Sequence, residues 1–231
     1  MPSRCYYCCM TDGVGELRAV AADQFGLITA AQARARGVAP FMLARWCDRG
    51  ILYRVRHGVY GFVDSPVWCG FEDWAAQWLA LRPDVDIAAR RRDPGVVLSH
   101  DTAASLQNLG TIASYGLTLT SPTRINVRDP GTSSWRRSIG RRGVDWHLVD
   151  GIAVTTPERT LADLLASYGD GGHLGTVIDT CLRENLIDVD RVVELCGAAA
   201  NRWGHRDGDG AAVMESLLSS SQPPAGVFGA A

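Results

Sequence analysis

Residues 50–63, GILYRVRHGVYGFV, alternate with a period of two, and that period fixes what the neighbouring chain can build around them. Ile51, Tyr53 and Val55 fall on one face of a strand, and Leu52, Arg54 and Arg56 on the other. His57-Gly58 then supplies a two-residue turn, and Val59 to Val63 returns as the second strand of a hairpin.

What precedes the hairpin is helical in pattern. Val14, Leu17, Val20 and Ala21 have the spacing of a short amphipathic helix over 14–24. In GLITAAQARARG, Thr29 and Gln32 stand three apart at the head of an alanine-rich run, the signature of a capping box, and Gly37 closes that helix. Pro40 suits the first turn of a third helix, which runs to Asp48 or Arg49 and stops at Gly50. Leu43, Trp46 and Cys47 share its apolar face, leaving Met42, Ala44, Arg45, Asp48 and Arg49 outward or flanking. Helix, helix, short turn, helix and hairpin is the order of a winged helix-turn-helix, here over 14–64.

Charge narrows the partner. All 23 basic residues are arginine, so no lysine is present for a P-loop, a Schiff base or the common nuclease motif. Residues 1–62 carry eight arginines against four acids, whereas 150–231 carry five against twelve, which implies different partners for the two ends. Between 30 and 62, six arginines meet one acid. In a helix-turn-helix the second helix of the pair enters the major groove. Helix 40–49 would there offer Phe41, Met42, Ala44, Arg45 and Arg49, an arginine bonding guanine bidentately or clamping a phosphate. Arg54 and Arg56 are expected to project together from one face of the hairpin, along phosphates or a minor groove. The expected partner is double-stranded DNA.

Beyond the punctuating DSPVWCG (64–70), Phe71, Trp74, Ala75, Trp78 and Leu79 form the stripe of a core helix, which Arg82-Pro83 ends, and 84–94 reads as a loop. Strands are expected at 95–98, 115–120, 124–128, 143–149 and 152–155, with a helix at 101–109 between the first two. Helices follow at 157–168, 174–185, 189–200 and 210–219. The expected fold class is therefore α+β: the winged helix-turn-helix, then a larger α+β domain over 65–218 with antiparallel strands first and helices afterwards. Residues 1–13 and 219–231 are expected to be disordered tails.

Other motifs fall short of chemistry. The seven cysteines, at 5, 8, 9, 47, 69, 181 and 196, do not form a disulfide framework, and Cys5, Cys8 and Cys9 lack a second ligand pair at zinc-finger spacing. Gly169 to Gly175 misses the dinucleotide spacing at Leu174, and Asp207 to Gly210 lacks the later ligands of a calcium loop. His100-Asp101 belongs to no nucleophile elbow, and Asp101 or Thr102 reads as a helix cap. Thr156 caps the next helix, Pro157 takes its first turn, and Arg159 pairs with Asp163. Trp135, Arg136, Arg137, Arg141 and Arg142 read as a hairpin loop, either solvated or in contact with nucleic acid or an acidic partner protein. No catalytic residue, cofactor or metal is expected. No apolar run reaches a membrane span and no signal-peptide pattern opens the chain, so a cytoplasmic, non-enzymatic protein with no membrane partner is expected.

LRAVAADQFGLITAAQARARGVAPFMLARWCDRGILYRVRHGVYGF resembles the N-terminal domain of the AbiEi family of bacterial antitoxins. VVLSHDTAASLQNLG, GIAVTTPERTLADLL and LRENLIDVDRV resemble that family's C-terminal region in the same order, the likeness spanning roughly residues 14–218. The resemblance implies a winged-helix autorepressor that binds its own operator and neutralises a cognate nucleotidyltransferase-like toxin encoded beside it. It also implies Arg45, Arg49, Arg54, Arg56, His57 and Tyr60 at the DNA side. Two positions depart from the pattern: Ala39 where serine or threonine usually caps the recognition helix, and Trp46 in place of a usual leucine. Pro40 is expected to offset the missing cap. Related proteins that append a nuclease domain carry a lysine this chain lacks, and the chain is expected to end too early for such a domain. The alternative is a stand-alone winged-helix transcription regulator whose second domain senses a ligand or dimerises.

Overall fold

The computed structural model describes residues 6–65, 72–125 and 129–221. The chain divides into two compact units, residues 1–94 and 95–231.

The first unit runs α1 (Tyr6–Asp23), β1 (Leu27–Thr29), α2 (Ala30–Ala35), α3 (Pro40–Asp48), β2 (Leu52–Arg56), β3 (Val59–Phe62), α4 (Glu72–Leu81) and α5 (Ile87–Arg92). Its three strands form an antiparallel sheet in the order β1-β3-β2. Leu17, Ala21, Ile28, Ala33, Leu43, Trp46, Leu52 and Phe62 are buried together, so α1, α2 and α3 cover one face of that sheet. The caps are those the residues announce. Thr29 Oγ1 accepts from Gln32 N at 3.1 Å, and Gln32 Oε1 accepts from Thr29 N at 3.0 Å. Ala39 makes no side-chain cap, Pro40 sits in the first turn of α3, and Gly50 beyond its C-terminus takes a positive φ of 68°.

Three expectations about this unit change. The first helix begins at Tyr6, well inside the segment expected to be a tail, where Gly13 and Gly15 weaken the local helix signal. Cys8 and Cys9 lie on it, while Cys5 lies outside the described residues, as do Phe71 and most of DSPVWCG. The division expected after residue 64 falls instead after Pro94. The physical reason is α4, whose Ala75, Ala76, Trp78 and Leu79 are buried and whose Glu72 carboxylate accepts from the Tyr53 hydroxyl on β2. Past α4, the Thr29 hydroxyl donates to the Pro83 carbonyl. The expected loop at 84–94 holds α5, capped by Asp86, whose Oδ1 accepts from Ala88 N at 2.8 Å. Arg90 on α5 is buried and donates to the carbonyls of Trp78 and Leu79, at 2.5 and 3.1 Å, and to that of Arg82. It thereby satisfies the orphan carbonyls at the α4 C-terminus, and burial lowers its pKa to about 10.

The second unit runs β4 (Val97–Leu98), α6 (His100–Leu106), β5 (Leu117–Ser121), β6 (Thr132–Arg136), β7 (Trp146–Val149), β8 (Ile152–Thr155), α7 (Pro157–Ser167), α8 (Gly171–Arg183), α9 (Val189–Ala198), a 3-10 turn (Ala200–Trp203) and α10 (Gly210–Ser221). The architecture is α+β. The sheet, however, is mixed and not antiparallel: in the order β6-β5-β4-β8-β7, the pairs β4–β8 and β5–β6 run parallel. Parallel neighbours need long connections, and alternation within a strand says nothing about its partner's direction. The strand expected at 124–128 falls partly outside the described residues; among the described residues the next strand after β5 is Thr132–Arg136, whose last two residues open the segment that read as a hairpin loop. Its sequence TSSWR lacks an apolar face because it is an exposed edge.

Leu161, Leu164, Leu174, Val177, Ile178, Cys181, Val192, Cys196, Val213 and Leu217 pack α7 to α10 into one core. The helices approach closely. A Cβ on Gly175 would stand 2.1 Å from the Leu217 carbonyl, and one on Gly210 would stand 1.9 Å from that of Val193. Cys181 and Cys196 are free within this core, where burial raises their thiols to about 12 and about 11. Among the described residues no helix is long and apolar enough to cross a membrane.

Candidate nucleic-acid interface

α3 presents one basic side. Leu43 and Trp46 hold the helix to the core, and Phe41, Ala44, Arg45, Asp48 and Arg49 face solvent. Met42, expected on the outward side, is half-buried against the core because its position on the helix falls beside Trp46. Among the described residues no ion pair engages Arg45 or Arg49, nor Arg34 in the last turn of α2. Arg34 is exposed and was not singled out from the sequence, although the same basic count contains it. Arg18 is committed elsewhere: its Nη1 lies 2.6 Å from Asp64 Oδ1, and its guanidinium lies 4.6 Å over the Phe62 ring. That bond holds the Asp64 carboxyl below its ordinary pKa.

The hairpin departs from simple alternation. Its register is Leu52↔Phe62, Tyr53↔Gly61, Arg54↔Tyr60 and then Arg56↔Val59, so Val55 is an extra, bulged residue. Tyr60 and Val59 are successive residues on β3 and point to opposite sides of the sheet. Arg54 and Arg56 therefore do not project together. Arg54 lies on the side of Leu52 and α3, close enough to Cys47 to oppose the rise that burial and Asp48 impose on that thiol. Arg56 lies on the side of Tyr53, where α4 packs. The His57-Gly58 turn is present, with Gly58 at φ 76°. Arg54 Nη2 lies 2.9 Å from His57 Nδ1, which pins both exposed side chains to the tip. Tyr60 is half-buried beside the core.

The arginine-rich segment of the second unit is built into its own structure. Trp135, at the end of β6, stacks on His100 with ring centroids 4.8 Å apart and planes 16° from parallel. Arg137 Nη1 reaches Asp163 Oδ1 at 2.8 Å, and Arg159 Nε reaches the same carboxylate at 3.0 Å. Arg142 lies 5.7 Å over Trp146. His100 is buried at φ 55° as the first residue of α6, and burial lowers its pKa. Neither Asp101 nor Thr102 caps that helix. Ser99 holds the cap position without a side-chain bond to the helix backbone, Asp101 accepts from Ser114 Oγ at 2.8 Å, and Thr102 Oγ1 accepts from Thr118 N at 2.8 Å. Thr156 caps α7 by accepting from Arg159 N.

The first unit thus carries exposed Arg45 and Arg49 on α3 and exposed Arg54 and His57 on the hairpin. Residues 16–63 match the family described as transcriptional regulator, AbiEi antitoxin, so that segment carries the pattern of the family its residues resemble. The crystal structure of the RV2827C protein from Mycobacterium tuberculosis is similar over 93% of this chain and 82% of that one, with a TM-score of 0.54 and 16% identity. At that identity the likeness is one of fold. No curated protein matches the chain by sequence.

Proposed function

We propose that the chain is a DNA-binding antitoxin and autorepressor, with residues 14–64 acting as a winged helix-turn-helix. In this reading α3 is the recognition helix and the β2–β3 hairpin is the wing. The observation that carries it is the pair Arg45 and Arg49, exposed and without ion pairs among the described residues, inside the segment that matches the antitoxin-regulator family. Two long cations held out on one helix face, neither ion-paired among the described residues although Asp48 lies on the same side, suit phosphate oxygens and guanine edges. Phe41, Arg54 and His57 complete the surface at the two ends of α3, with Met42, Tyr60 and Arg56 supporting it from behind.

The second unit, in this reading, antagonises a nucleotidyltransferase-like toxin and performs no catalysis. Its buried carboxylate, Asp163, is occupied by Arg159 and Arg137. Two measurements test the proposal. The full chain, titrated against duplex DNA from its own promoter and against unrelated coding DNA, is expected to favour the promoter and to weaken steeply with salt. Equal binding to both would overturn autorepression. Co-expression with a nucleotidyltransferase encoded beside it is expected to restore growth. Continued arrest would overturn the antitoxin role and leave a stand-alone regulator.

A further inference from the structure

Phe41 is the second residue of α3 and is 68% exposed. A single exposed phenylalanine is ordinary on a protein surface, so exposure alone says little. Its position says more. At about 100° per residue, Phe41 sits in the middle of the solvent-facing arc made by Ala44, Arg45 and Asp48, opposite Leu43 and Trp46. It cannot fold back into the core from there. It also occupies the first turn, the end of a recognition helix that meets base edges. One turn further, Ala44 leaves room for close approach, and Arg45 is exposed and free of ion pairs among the described residues.

In the major groove, one group is apolar: the 5-methyl of thymine. We infer that Phe41 reads thymine by packing its ring on that methyl, beside the base or phosphate that Arg45 engages. This rests on α3 being the recognition helix. Four residues along a helix advance it by about 6 Å, close to two base-pair steps. The thymine therefore stands about two steps from the Arg45 contact.

The test uses the full chain and the duplex it retains from a random-sequence library. Each thymine is replaced in turn by deoxyuridine, which removes only the methyl. Binding is expected to weaken about fourfold at one thymine per bound subunit, the value of one buried methyl group. Phe41→Ala is expected to bind the thymine and uracil duplexes equally, with the salt slope of the parent because no phosphate contact is lost. Phe41→Leu is expected to keep part of the preference. Thermal melts of both variants establish that they fold. Discrimination that survives in Phe41→Ala, or a parent indifferent to every thymine methyl, overturns the inference while leaving DNA binding intact. A chain that selects no duplex at all overturns the proposed function with it.

Discussion

Arg159 holds Asp163 one turn further along α7, its Nε 3.0 Å from both carboxylate oxygens. Asp163 is 1% exposed, and it also receives Arg137 at 2.8 Å from the segment after β6. One buried carboxylate therefore fastens that segment to α7, and the two arginines differ in what they lose without it. Arg159 is nearly buried, whereas the Arg137 side chain is 61% exposed. Asp163→Asn leaves the nearly buried Arg159 with only the more distant Asp145 carboxylate, 3.6 Å from its Nη1, and is expected to cost about 3 kcal/mol. Arg137→Ala breaks an exposed contact and is expected to cost within about 1 kcal/mol. Urea unfolding of the three proteins decides the matter; equal losses for the two variants would show that exposure does not set the energies.

How much of this was legible in the sequence depends on the range of the interaction. The Thr29–Gln32 box, Pro40, Gly50, the Thr156 cap and the Arg159–Asp163 pair are all decided within four residues, and each stands where the pattern puts it. Arg137 as a third member of that ion pair was not legible, because its partner lies 26 residues away. The bulge at Val55 was not legible either. Alternation assumes one residue opposite one residue, and only the partner strand reveals an extra one. β6 escaped because an exposed edge strand needs no apolar face. The α4 stripe was plain, but a stripe does not say which surface it covers, so the unit boundary was set thirty residues too early.

The Tyr53 hydroxyl donates to the Glu72 carboxylate, and burial with that acid raises its pKa to about 12 from the ordinary 10.0. In the unfolded chain Tyr53 loses its proton first, so the folded state retains more protons between pH 10 and pH 12. Stability from this group is present below the unfolded pKa and is lost as pH rises through that window. Tyr53→Phe is expected to make denaturant stability of the first unit fall less steeply over that range. An unchanged slope would remove the Tyr53–Glu72 bond from the contacts that hold α4 to the sheet.

His147 gives the mirror case in the second unit. Its Nε2 lies 2.8 Å from Gln107 Oε1 and acts as the donor, so the neutral ring is already satisfied. Burial lowers its pKa below the ordinary 6.5, and the unfolded chain therefore takes up the proton first. The stability of the neutral form is present above the unfolded pKa and is lost as pH falls through the folded one. His147→Gln removes the titrating group, and stability is expected to decline less between pH 7 and pH 5 than in the parent. His100 is also lowered by burial and remains in both proteins, so a residual decline is expected. A parent whose stability is flat across that window would contradict the burial of both rings.

The bulge at Val55 changes what the hairpin can contribute to DNA binding. Without it, Arg54 and Arg56 would leave the sheet on one side, and replacing both would lower the salt slope by about 1.8, at about 0.9 for each phosphate. With Arg54 opposite Tyr60 and Arg56 opposite Val59, only one of the two shares the side of α3. That one is Arg54, already steadied by its contact with His57 Nδ1 at 2.9 Å. Arg54→Ala is therefore expected to weaken binding to promoter DNA and flatten the log–log salt slope by about 0.9. Arg56→Ala is expected to leave the slope unchanged, and the double variant to behave as Arg54→Ala alone. Measured slopes of equal size for the two single variants would mean that the DNA runs across the tip of the hairpin, touching both sides of the sheet, and that α3 and the wing do not share one face.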